Sequence, residues 1–170
     1  MITKQVLTLP CDLYFKRVSI FQNPDVPLKA SVLYFHGGGL LYGSREDLPD
    51  PHLQILTDAG FAVIAFDYPL SPGAKLPDIF ADVCASIEMY LSDPALFSGA
   101  SAAPLPYFLF GRSAGAYLCL LAAGKGNLSQ PPAGMTRCGT RPHAASLPPA
   151  ISSIITASIS MPGRTAPGAI

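Results

Sequence analysis

The stretch that decides the fold is "LFGRSAGAYLCLLAAG", Leu109 to Gly124. An apolar run ends at Gly111. A serine follows at 113, a glycine at 115, and then an apolar pattern at helical spacing begins. The pattern predicts a buried strand, a tight turn and a helix, with Ser113 at the turn. Backbone geometry accounts for the glycines. Side chains two residues either side of a sharply turned serine would clash with neighbouring backbone, and glycine has none to clash. The helix N-terminus behind the serine supplies a field that favours negative charge.

Working outward, "ASVLYF" (30–35), "FAVIAFDY" (61–68) and "PYFLFG" (106–111) are continuous apolar runs. Runs of this kind suit strands buried on both faces of a parallel sheet. Between them, Leu48 to Gly60 predicts a short helix ended by Gly60. Asp78 to Leu91 predicts another, with Phe80, Val83, Ile87, Tyr90 and Leu91 at helical spacing. Asp67 reads as a strand-end residue and Asp78 as a helix-start residue. Ser113 to Ala123 is the third helix. Upstream, Gln5–Pro10 and Leu13–Phe21 predict two strands joined by a turn at Cys11-Asp12. The expected class is therefore α/β. It has a mainly parallel sheet, an N-terminal antiparallel hairpin, helices on both faces and right-handed crossovers.

The chain has 170 residues, 49% of them hydrophobic and 13% charged, enough apolar content for one packed core. Eleven basic residues balance eleven acidic ones, which argues against a nucleic acid or an anionic membrane as partner. Met1 to Val18 holds no long apolar segment of signal-peptide type, and no uncharged apolar run reaches membrane-spanning length. The expectation is a soluble cytoplasmic protein. The cysteines at 11, 84, 119 and 138 form no Cys-x-x-Cys pair and read as thiols rather than a metal site. Nothing suggests a flavin or nucleotide cofactor, and none is expected. After Gly126 the sequence turns rich in Pro, Gly, Ser, Thr and Ala. Residues 1–126 are expected to be the N-terminal part of the domain. Residues 127–170 are expected to be a low-complexity, disordered tail, with Ile151–Ile159 able to form a weak strand or helix.

Two motifs carry the chemistry. Gly111-Arg112-Ser113-Ala114-Gly115 fits G-x-S-x-G at a strand-to-helix turn. His36-Gly37-Gly38-Gly39 also follows a buried strand, and its glycines leave backbone N–H groups open to a developing oxyanion. The chain resembles the α/β-hydrolase superfamily, and most of all its hormone-sensitive-lipase-like esterases, the alpha/beta hydrolase fold-3 group. "DYPLSP" (67–72) agrees, lying where that group has a similar segment after a strand. The resemblance covers about residues 5 to 126. It implies Ser113 as nucleophile, with Gly37, Gly38 and Ala114 as oxyanion-hole donors. His36 orders the loop and is not the base; Gly39, Gly111 and Gly115 complete the motifs. The chain departs from the group at Arg112, Ala116 and Pro69, and its N-terminus reads as strands rather than a helical cap.

The resemblance also exposes a gap. In this fold the order is serine, then Asp or Glu, then histidine. No Asp or Glu follows Ser113, since the last acidic residue is Asp93, and the only later histidine is His143. His143 reads as a solvated tail residue and His52 as a helix-surface one. The expectation is a serine hydrolase of the carboxylesterase or lipase type acting on short acyl esters through an acyl-enzyme, weak or inactive here for lack of the triad acid and base. The alternatives are a non-catalytic ligand-binding protein of the same fold and a gene remnant. A truncated or frameshifted gene would account for the composition change, leaving strand 106–111 as a bare sheet edge with the C-terminal strands missing. Oligomeric state is left open.

Overall fold

A computed structural model describes residues 1–10, 15–98, 105–124 and 153–154. In chain order its elements are β1 (Thr3–Pro10), β2 (Phe15–Gln22), β3 (Ala30–Phe35), α1 (Asp50–Asp58), β4 (Phe61–Phe66), α2 (Leu76–Ser92), α3 (Pro94–Ser98), β5 (Tyr107–Gly111), α4 (Ala114–Gly124) and β6 (Ser153–Ile154). The sheet order is β1-β2-β4-β3-β5-β6. β1 and β2 form the expected antiparallel hairpin, and β2 lies antiparallel to β4. β3 runs parallel to both β4 and β5.

The continuous apolar runs predicted this centre for a physical reason. All six residues of β3 are buried, because helices cover both faces of the sheet. On one face Leu33, Phe35, Ile64 and Phe66 pack against Ile79, Val83 and Ile87 of α2, Phe97 of α3 and Leu118 of α4. On the other, Val32, Tyr34, Val63 and Ala65 pack against Leu48, just before α1, and Leu53 of α1. α1 stops at Gly60, whose φ of 89° only glycine adopts without strain.

Several observations differ from expectation: β1 begins at Thr3 rather than Gln5, and α1 at Asp50 rather than Leu48. α2 begins at Leu76, two residues early, because Pro77 sits in its first turn, where its missing N–H costs nothing. α3 was not foreseen; its turn is started by Asp93, whose side chain accepts a hydrogen bond from Leu96 N–H at 3.1 Å. The edge expected to be bare is paired at two of the five residues of β5. β6 pairs parallel with β5 through Phe108 with Ser153 and Leu109 with Ile154. An edge strand presents unpaired N–H and C=O groups, and a second strand satisfies them. The rest of 127–170, with His143 and Cys138, lies outside the described residues, as do Cys11 and the 126/127 division. Among the described residues no helix is long and apolar enough to cross a membrane.

Candidate active site

β5 delivers Ser113 and β3 delivers the glycine triplet, and the two strands are hydrogen-bonded neighbours. Both motifs therefore emerge at the same end of the sheet, side by side. Arg112 N–H donates to the carbonyl of Phe35 at 3.3 Å, which ties the two strand exits together.

Ser113 has φ of 49°, left-handed backbone that a side-chain-bearing residue adopts at a cost of about 1–3 kcal/mol. It is exposed. The turn is closed by Gly115 N–H donating to Arg112 C=O at 2.9 Å, and α4 starts with Tyr117 N–H donating to Ser113 C=O at 3.1 Å. Both flanking glycines are required. A β-carbon on Gly111 would lie 2.3 Å from the carbonyl carbon of Gly115, and one on Gly115 would lie 2.0 Å from the carbonyl oxygen of Phe35. No contact of that length exists, so the crossing of β5, α4 and β3 depends on bare backbone at these positions.

Gly37 is buried against the serine turn. A β-carbon placed there would stand 3.1 Å from Arg112 O and 3.6 Å from Ser113 Cβ. Gly38 has φ of 102°, and a β-carbon on it would stand 1.9 Å from Tyr42 O. Gly39, Leu40 and Gly43 also have positive φ, at 62°, 67° and 110°. Leu41 and Tyr42 N–H groups both donate to Gly38 C=O, and Ser71 N–H donates to Leu40 C=O at 2.8 Å. The loop is thus fixed by its own backbone.

His36 directly precedes this loop. It is buried, its Nδ1–H donates to Gly37 C=O at 2.8 Å, and its ring stacks on Tyr68 with centroids 4.1 Å apart. Tyr68 OH donates to His36 C=O at 2.8 Å. Burial pushes the Tyr68 hydroxyl well above its ordinary range, so it stays protonated and remains a donor. The role of Tyr68 was missed in sequence; "DYPLSP" marked its segment without showing which side chain reached the loop.

A second support was also missed. Asp67 accepts from Arg45, from its backbone N–H at 2.8 Å and from its guanidinium. The same guanidinium reaches Ser19 Oγ at 2.8 Å and Glu46 at 3.1 Å. Arg112 Nη1 donates to Asp47 C=O at 2.7 Å, while Tyr34 OH donates to Asp47 Oδ1 at 2.6 Å. Burial, then the Asp47 carboxylate, push the Tyr34 hydroxyl upward. These contacts hold residues 45–47 between the serine turn and the end of β4.

His52 sits exposed on α1, and Asp78 accepts from Lys75 N–H at 3.2 Å at the start of α2, both as expected and neither part of this site. Burial pushes the Cys119 thiol up to about 12. Among the described residues no group of three or more His, Cys, Asp or Glu could hold a metal ion.

Comparison with known proteins agrees with the architecture. A family model described as alpha/beta hydrolase fold matches residues 32–137. A solved protein of unknown function from Staphylococcus aureus subsp. aureus Mu50 is 34% identical, with a TM-score of 0.58 over 74% of this chain and 42% of that one. An alpha/beta hydrolase superfamily protein from Enterococcus faecalis is 28% identical, with a TM-score of 0.60 over 74% of this chain and 43% of that one. Among curated proteins, Lipase 2 of Moraxella sp. (strain TA144) is 32% identical over 95 residues, 56% of this chain and 21% of that protein. A matched non-reducing polyketide synthase from Penicillium brasilianum is covered over 3% of its length. The chain thus spans less than half of each of these relatives.

Proposed function

We propose that this chain, which belongs to the alpha/beta hydrolase fold family, carries the nucleophile and oxyanion-binding part of a carboxylic ester hydrolase. Ser113 is the nucleophile. The amides of Gly37, Gly38 and Ala114 hold the oxyanion, and the substrate is a small ester. The observation that carries this reading is the left-handed Ser113, wedged between two glycines that admit no side chain and facing Gly37. Backbone strain at an exposed hydroxyl has no packing purpose, whereas strain is a recurrent property of reacting residues. The likeness to Lipase 2 of Moraxella supports the ester class.

The chemistry follows from this arrangement. The serine oxygen attacks the ester carbonyl, and the carbonyl oxygen becomes an anion. Amides fixed before the reaction stabilise that charge without reorganising, and one such donor is worth about 2.7–4 kcal/mol. Loss of the alcohol leaves an acyl-serine, which water then hydrolyses. The serine needs a base to take its proton. No acidic residue follows Ser113 in this chain, so turnover by this chain alone is expected to be slow. Without triad partners, rate enhancement over water falls to about 10³–10⁴.

The assay is p-nitrophenyl butyrate hydrolysis, with mass spectrometry of the acylated chain. Slow release with butyrylation of Ser113, both lost in Ser113→Ala, supports the reading. Unchanged release by Ser113→Ala overturns it.

A further inference from the structure

We propose that Tyr42 is a specificity-determining residue of this site, selecting esters that carry a flat apolar group beside the carbonyl. The proposal rests on the nucleophile reading of Ser113 and adds to it the class of substrate.

Three observations place Tyr42 there. It lies in the loop that begins with the glycine triplet. A β-carbon on Gly38 would stand 3.1 Å from Cδ2 of the Tyr42 ring, so the ring rests directly against the backbone of a candidate oxyanion donor. The Tyr42 side chain is nevertheless 70% exposed, and its neighbour Leu41 is 61% exposed. An exposed aromatic ring alone says little, because soluble proteins carry many. This residue is distinguished by its backbone being held. Tyr42 N–H donates to Gly38 C=O at 3.2 Å, and the preceding Leu40 is anchored through its carbonyl to Ser71. Four positive-φ residues at 38, 39, 40 and 43 fix the loop path around it.

A loop that carries an aromatic ring open to solvent beside the backbone of Gly38 offers an apolar wall to a substrate bound at the glycine triplet. Under this proposal, one of the two substituents of an ester carbonyl bound at the glycine triplet lies against this ring. A planar or branched apolar substituent removes ring area from water and stacks on it. An acetyl or methyl group is too small to do so.

Boronic acids test this without requiring turnover. The serine oxygen adds to boron, which becomes tetrahedral and anionic, and the serine proton passes to buffer. Phenylboronic acid is expected to bind about tenfold more tightly than methylboronic acid. Tyr42→Ala should bring the two within about twofold while methylboronic acid still binds, and Tyr42→Phe should keep the wild-type preference. A preference unchanged in Tyr42→Ala overturns the proposal. So does loss of methylboronic acid binding in that variant, which would mean that the ring supports the loop rather than selects substrate. If neither acid binds the wild-type chain and Ser113 stays unmodified, the nucleophile reading fails and this proposal falls with it.

Discussion

Gly37 and Ser113 face each other so closely that a β-carbon on Gly37 would sit 3.6 Å from Ser113 Cβ and 3.1 Å from Arg112 O. That spacing is tight but tolerable, whereas the 2.0 Å separating a β-carbon on Gly115 from Phe35 O is not. The two alanine variants should therefore separate function from folding. Gly37→Ala should keep the fold and lower Ser113 acylation by about tenfold, by crowding the space where the carbonyl binds. Gly115→Ala should cost about 3 kcal/mol or more, because backbone rather than a flexible side chain must move. Urea titration beside acylation rates checks both.

The backbone at Ser113 gives a second prediction. Its φ of 49° strains any residue with a β-carbon. Ser113→Gly should therefore unfold at higher urea than Ser113→Ala, by about 1 kcal/mol, although both lack the hydroxyl. Equal stability would show that the turn relaxes at no cost.

Tyr68 predicts a loop effect. Tyr68→Phe keeps the stack on His36 but removes the bond to His36 C=O. The expected cost is about 1 kcal/mol, with faster hydrogen exchange at residues 37–39. Burial raises the folded-state pKa of this hydroxyl, so its contribution is complete below the unfolded value of 10.0 and is lost only as pH rises beyond it. The difference between wild type and variant should thus be flat from about pH 6 to 9, a pattern that denaturation at several pH values will reveal.

The Lys16–Asp82 pair predicts a pH dependence of the opposite kind. Lys16 on β2 is buried and its ammonium meets the Asp82 carboxylate of α2. Burial lowers the Lys16 pKa, and Asp82 opposes that lowering. Removing the carboxylate in Asp82→Asn leaves the charge buried without its counterion, at a cost of about 3–5 kcal/mol near neutral pH. The unfolded lysine then holds its proton to higher pH than the folded one. Stability of this variant should therefore rise with pH up to the unfolded value of 10.5. Lys16→Met with Asp82→Asn should recover most of the loss. Chemical denaturation across alkaline pH checks the slope.

The sequence disclosed the frame of the fold where one property decided it. β3 is Ala30–Phe35 both as expected and as observed, because a run that is apolar but for Ser31 needs cover on both faces. The glycines at 111 and 115 announced the tight crossing for the same reason: only the absence of a side chain fits. What stayed hidden depends on residues distant in the chain. Nothing local marks Leu40 for positive φ, and its carbonyl finds its partner in the distant Ser71 N–H. Alternation in β2 places Lys16 on the inward face with Val18 and Ile20, a conflict resolved only when Asp82 arrives from α2. Tyr68 lay inside a motif already noticed, yet its stacking on His36 exists only once β3 and β4 are adjacent.

The most direct test of the account is a crystal structure of the chain with phenylboronic acid. We predict boron bonded to Ser113 Oγ, with one boronate oxygen within about 2.7–3.1 Å of the amide nitrogens of Gly37, Gly38 and Ala114. A boronate bound elsewhere, or bonded to Ser113 with all its oxygens turned to solvent, would contradict it.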